Sequence, residues 1–246
     1  MSRHPQVDFT TPWHRASFAW CMNEGIPQLL DKRLPLGGYH AGWKSDDSVT
    51  LEVMVADARA TYTLPAPDSS GLFHYQGEQW VVVPIADQPE LDQARISCVG
   101  EQLLECISAR LGEGGPQLPW NESLLHAFLP LELWMESFLQ ERAQRLDTTN
   151  WLSRSTHLRR LLLTGDSTSS FSTHARRVCP LETPEGPNCG RVVTIALGAK
   201  VVDGQLLPAD CDHALALGPS AAMIPFLEHS DPARTLMGAN MMRQWL

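Results

Sequence analysis

Apolar residues recur every three to four positions across residues 13–33. Phe18, Met22, Ile26, Leu29 and Leu30 can line one helical face. Pro27 inside this stretch predicts a kink or break, and Pro35 with Gly37-Gly38 ends the pattern. Residues 49–55 alternate as a strand, and 58–64 form a weaker strand candidate. Asp68-Ser69-Ser70-Gly71 is turn chemistry. Residues 72–85 then read as a hairpin, with its turn at 75–79 and its second strand at 80–85. Residues 91–111 carry the clearest helical pattern: Ile96, Val99, Leu103, Leu104, Ile107 and Leu111 share a face, and Gly112 and Gly114-Gly115 supply a stop. A linker is predicted at 116–121. A second apolar helical stretch, 124–146, is interrupted by Pro130.

Beyond it, 158–163 is short and apolar apart from Arg159 and Arg160. Residues 179–190 are crowded with Pro and Gly and read as a loop. Residues 192–202 read as strand, followed by an Asp203-Gly204 hairpin turn. Residues 221–227 are apolar, and Asp231 opens a helix through Gln244 with Pro232 in its first turn. The pattern predicts an α+β chain. Residues 1–120 hold an N-terminal helix with a small mixed sheet. Residues 121–246 hold an Arg-rich region of helices, a Pro/Gly loop and a short β hairpin.

The chain has 246 residues and 43% hydrophobic content, enough for one or two cores. No apolar run reaches the roughly 18 residues that span a bilayer, and residues 1–12 lack the apolar core of a signal peptide. A cytoplasmic location is the expectation. None of the six cysteines forms a Cys-x-x-Cys pair, and no His/Cys spacing fits a zinc site.

Charge changes the picture. The formal net charge is −9, which argues against a free-standing nucleic-acid binder. Yet residues 142–191 carry eight Arg against four carboxylates, a local net of +4. Such a stretch is either an anion site or a solvated, salt-bridged surface. Arg presents a planar fork suited to phosphate. Three prolines and two glycines stiffen residues 177–190, so Glu182, Glu185 and Asn188 can be held in fixed directions. A rigid turn between core elements would use the same residues.

Three segments carry a family resemblance. The run Arg177-Val178-Cys179-Pro180-Leu181-Glu182-Thr183-Pro184-Glu185-Gly186-Pro187-Asn188-Cys189-Gly190 is one. Residues 224–244, with Arg234-Thr235-Leu236-Met237-Gly238-Ala239-Asn240 at their centre, are the second. The third runs from Leu146-Asp147 through Thr156-His157-Leu158-Arg159-Arg160. In their order along the chain they resemble the N-terminal half of the β subunit of bacterial-type multisubunit RNA polymerase. Ser17-Phe18-Ala19-Trp20 with Gly25-Ile26, and residues 71–83, are more faintly similar to that family's opening helix and a hairpin. About forty residues stand between Ile85 and Leu124, where the family has a large lobe domain.

The resemblance implies a protrusion-like N-terminal part with a reduced lobe, then a fork-like region. It implies that Asp147, His157, Arg160, Pro184, Glu185 and Asn188 face RNA or a rifamycin. It also implies that Arg234, Asn240 and Gln244 face the incoming nucleotide and the RNA end. The family's catalytic Mg²⁺ is held by the large β′ partner, so no catalytic residue or metal ligand is expected in this chain. Nucleotidyl transfer would occur only in a complex with a β′-like subunit, α subunits and a C-terminal β-like piece, on DNA and RNA, with no membrane. The alternative is an inactive paralogue that binds polymerase, RNA or a rifamycin-like ligand as a regulator or decoy. Departures fall at particular places: Leu158 stands where the family usually has Lys, Trp151 and Arg154 where it has Pro and Glu, and Leu162 where Ser is common. Residues 165–174 are shorter than its fork loop.

Overall fold

The computed structural model describes residues 13–45, 47–112, 119–164, 171–210 and 212–245. Helix α1 (Trp13–Trp20), a π-turn at Cys21–Gly25 and helix α2 (Ile26–Arg33) open the described chain. Strands β1 (Leu36–Ser45), β2 (Ser48–Val55), β3 (Ala58–Pro65), β4 (Phe73–Tyr75), β5 (Glu78–Val82), β6 (Ile85–Ala86) and β7 (Ile96–Ser97) follow. Helices α3 (Val99–Leu111), α4 (Glu122–Phe128) and α5 (Leu131–Arg142) lead to β8 (Ala143–Arg145), α6 (Trp151–Leu158), β9 (Arg160–Leu163) and α7 (Phe171–His174). Strands β10 (Val192–Thr194), β11 (Lys200–Val202) and β12 (Gln205–Leu207) precede α8 (Pro232–Trp245). The α+β class holds.

The chain forms two compact units. One takes the described residues of 13–82 and 98–144; the other takes those of 83–97 and 145–245. In the first, β1, β2 and β3 form an antiparallel meander, and β2 and β3 alternate buried inner-face residues with more exposed outer-face ones. Phe18 fills the space above it, edge-on to Phe73 at 5.8 Å and to Trp43 at 6.2 Å. Helices α3, α4 and α5 complete this core with Leu103, Ile107, Leu125, Met135 and Phe138. The predicted linker lies partly outside the described residues, and α3 before it and α4 and α5 after it pack in the same unit.

Several expectations are corrected here. The interruption expected at Pro27 takes the form of a π-turn just before it rather than an end to the helical path. Ile26 N–H bonds to the Cys21 carbonyl, five residues back, and this widened turn delivers Pro27 to the start of α2, where a missing N–H matters least. The pattern does not predict β1, because Gly37-Gly38 reads as punctuation; in the fold Tyr39, Ala41 and Trp43 turn toward the core. The helix read from residue 91 begins at Val99. Cys98 is extended, and the Glu101 carboxylate accepts its N–H at 3.1 Å in a capping box. Ile96 leaves the predicted helical face for β7, where its N–H reaches the Gly204 carbonyl at 2.7 Å. The N-terminal sheet is antiparallel rather than mixed.

The mixed sheet belongs to the second unit. Its order is β10-β9-β6-β7, with β6 parallel to β9 and the other pairs antiparallel. The strand predicted over 192–202 is divided: β10 pairs with β9, β11 pairs with β12, and Leu197-Gly198 turn between them. Helix α6, which the pattern does not predict, packs against α8 in this unit. Among the described residues no helix is long and apolar enough to cross a membrane.

Candidate nucleic-acid interface

The second unit gathers most of the residues singled out above. Asn150 opens α6: its backbone is extended and its side-chain Oδ1 accepts from Ser153 N–H at 2.8 Å. Just before it, Asp147 is committed to the turn. Its Oδ1 accepts from Thr149 N–H at 3.1 Å and from the Thr149 hydroxyl at 2.8 Å, and its Oδ2 from the Ser153 hydroxyl at 2.9 Å. Burial pushes the Asp147 pKa up, but these hydrogen bonds together outweigh it and the net shift is down. The Asp147 N–H donates to His157 Nδ1 at 3.0 Å. His157 is buried. Burial first, then the Arg160 charge, lower its pKa to about 4 against the pull of Asp147, so the ring is neutral and serves as an acceptor.

The paired arginines divide their work. Arg159 donates from Nε to the Ile195 carbonyl at 3.1 Å and from Nη2 to the Ala196 carbonyl at 2.5 Å, tying the end of α6 to the segment after β10. The Arg160 guanidinium makes no hydrogen bond or salt bridge among the described residues. Burial, then the like charge of Arg243, holds its guanidinium below the ordinary value, against the attraction of Asp147. Two half-buried guanidinium groups therefore lie within electrostatic reach of one another. Unoccupied, such a pair repels; an anion between them would relieve the repulsion.

The Pro/Gly loop is braced from within. The Thr183 hydroxyl donates to the Val192 carbonyl at 2.9 Å and accepts from Gly190 N–H at 2.7 Å, closing the loop base. Glu182, 1% exposed, points inward; its Oε1 accepts from Ser220 N–H at 2.6 Å and Ala221 N–H at 2.8 Å. A Cβ at Gly218 would lie 2.5 Å from the Glu182 carboxyl carbon, so only glycine allows that approach. Of the three polar loop residues, Glu182 is thus scaffolding, while Glu185 and Asn188 stand exposed. Pro184 is half-buried beside them.

Helix α8 meets this loop. Asn240 Nδ2 lies 3.5 Å from Glu185 Oε1, at the outer edge of hydrogen-bond range. Its Oδ1 accepts from Arg243 Nη2, and the Arg243 carbonyl accepts from Asn150 Nδ2 at 2.6 Å. Asp147, His157, Arg160, Glu185 and Asn240 are therefore linked through one neighbourhood. Arg234 and Gln244 are not: with Met237 and Met241 they follow helical spacing along an exposed stripe of α8. Reading the residues alone passes over Arg243 and Asn150 as site members. The only signals for them are an Asn ahead of a short apolar stretch, and an Arg one turn after Asn240.

Residues 144–201 match the family model of RNA polymerase Rpb2, domain 3. The Rpb2 domain 3 segment holds α6, Arg159 and Arg160, β9, the Pro/Gly loop, β10 and the start of β11, while Arg243 lies beyond it. The chain thus carries a segment similar to part of the second-largest subunit of RNA polymerase, a transcription enzyme. Within the Rpb2-like segment the loop has two sides. One bears Glu185 and Asn188. The other helps wall a largely apolar pocket of about 590 Å³, lined by His174, Arg176, Cys179, Pro180, Thr183 and Leu217 among others. None of the predicted site residues lines that pocket. Arg160 and Arg243 are the better functional centre: Asp147 attracts the first and Glu182 the second, but neither carboxylate hydrogen-bonds to a guanidinium, while the pocket offers mainly apolar wall.

Proposed function

We propose that this chain acts in DNA-templated transcription as a β-subunit-like component of a multisubunit RNA polymerase, forming the RNA-facing wall of the active-centre channel. The observation that carries the reading is that Arg160, just past α6, and Arg243, on the α8 turn bonded to the α6 cap, repel one another electrostatically inside a unit that also holds most of the Rpb2 domain 3 match. In this reading the two guanidinium groups take backbone phosphates of the transcript, while Asn188 and Asn240, each able to donate and accept, meet sugar or base edges. Arg234 and Gln244 face the RNA end from the other stripe of α8. The chemistry of nucleotidyl transfer is supplied by a β′-like partner carrying Mg²⁺. The α subunits and a C-terminal β-like piece complete the complex, in the cytoplasm.

Affinity purification of the tagged chain from its native cells tests this. Recovery of β′-like and C-terminal β-like polypeptides, with RNA crosslinking to the 147–188 region, is the expected result. Recovery without any polymerase subunit would overturn it. A second reading, an inactive paralogue that binds polymerase or RNA as a regulator, is favoured by one feature: only about forty residues stand where the resembled family carries its lobe. Recovery of intact core polymerase with its own complete β subunit selects that reading.

A further inference from the structure

We propose that Asn150 is a positioning residue for the phosphate-facing arginines, a single side chain that clamps the last turn of α8 to the first turn of α6. The inference rests on the RNA-facing reading above and assigns a role to a residue that touches no RNA in it.

The geometry is two-ended. The Asn150 Oδ1 accepts from Ser153 N–H and caps α6, while its Nδ2 donates to the Arg243 carbonyl at 2.6 Å. The last four carbonyls of a helix lack partners within it, and Arg243 lies in that final turn. A donor from a neighbouring helix satisfies one of them and holds the turn against fraying. An amide offers donor and acceptor on one short side chain; Asp offers only acceptors, and a Ser hydroxyl that caps α6 lacks the second arm. The far end of Arg243 is held separately, by Asn240, which in turn approaches Glu185. Asn150 thus holds the backbone of Arg243 and Asn240 its guanidinium. With both in place, Arg243 stays near Arg160. With Asn150 lost, the last turn of α8 loosens and Arg243 swings away, although α6 and Arg160 remain.

The test uses the full chain and variants that keep the α6 cap, Asn150→Ser and Asn150→Asp, which cap comparably to Asn. Amide exchange in the last turn of α8 is expected to rise about tenfold, with α6 amides unchanged. Binding of a short single-stranded oligouridylate is expected to weaken about three- to tenfold, and the salt dependence of binding to lose roughly 0.7 in slope, as for one phosphate contact. The double variant Asn150→Ser/Arg243→Gln should bind like Arg243→Gln alone, since both changes act through one group. Unchanged exchange in α8 overturns the clamp, as does full additivity of the double variant. If the wild-type chain does not bind the oligonucleotide, the RNA-facing reading falls, and the clamp is then decided by exchange alone.

Discussion

His157 shows how one buried side chain sets an environment for its neighbours. It accepts a hydrogen bond as a neutral ring, and its pKa is lowered from 6.5 to about 4 by burial and by Arg160. Between those values the unfolded chain binds the proton and the folded chain does not. Stability is therefore full above pH 6.5 and falls as pH drops toward 4, by on the order of 3 kcal/mol for this group. Urea unfolding across that range should show the loss, and His157→Gln should flatten it. Glu182 offers a second test. Glu182→Ala leaves two buried N–H groups without their acceptor and is expected to cost on the order of 3 kcal/mol, whereas Glu182→Gln keeps an acceptor and should cost about 1 kcal/mol or less. Urea midpoints of the two variants decide whether the loop is held by hydrogen bonding, and equal midpoints would refute it. That Glu182 points inward and Glu185 outward was not legible from the sequence. Both are acidic residues of one Pro/Gly loop, and only the approach of Gly218 and the Ser220 and Ala221 N–H groups separates them.

Among the elements, periodicity succeeds where one face meets one core and fails where the chain changes partners. Strands β2 and β3 and helices α4, α5 and α8 follow their patterns closely because each packs within a single unit. Residues 91–111 keep an apolar spacing throughout, yet the chain passes from one unit to the other at 97–98, and α3 begins only there. The capping box at Cys98 and Glu101 marks the true start. Gly100 secures the packing of α3 on α1: its N–H donates to the Ser17 hydroxyl at 2.8 Å, and a Cβ there would lie 2.0 Å from the Ser17 carbonyl oxygen. Gly100→Ala is therefore expected to destabilise by about 3 kcal/mol despite the gain in helix propensity. A thermal midpoint equal to wild type would show that α3 can shift freely on α1.

Across the whole molecule, charge is partitioned between the units. Residues 12–82 and 98–144 carry fifteen carboxylates against seven cations, nearly all of the net −9. The other unit is close to neutral and holds both Arg160 and Arg243. Overall charge thus understates the capacity of the second unit to meet a polyanion. Oligonucleotide binding by the chain should weaken with salt at a slope of roughly −1.4 if these two arginines each meet a phosphate, and Arg160→Gln should remove about half of that slope. A wild-type slope near zero, measured by fluorescence anisotropy, would rule out the phosphate role for both.

The sequence by itself determined the mixed α+β class, the break between α4 and α5 at Pro130, the Pro/Gly loop and the three motif segments, because local periodicity and backbone chemistry act over a few residues. Tertiary structure alone decided which polar residues of those motifs became scaffolding and which stayed available. Arg159 and Glu182 were drawn into backbone hydrogen bonds with distant segments, whereas the guanidinium groups of Arg160 and Arg243 were left without a hydrogen-bonded carboxylate, within electrostatic reach of one another. The physical reason is that a polar side chain's fate depends on which unsatisfied donors and acceptors the fold brings to it, and those partners lie tens of residues away along the chain.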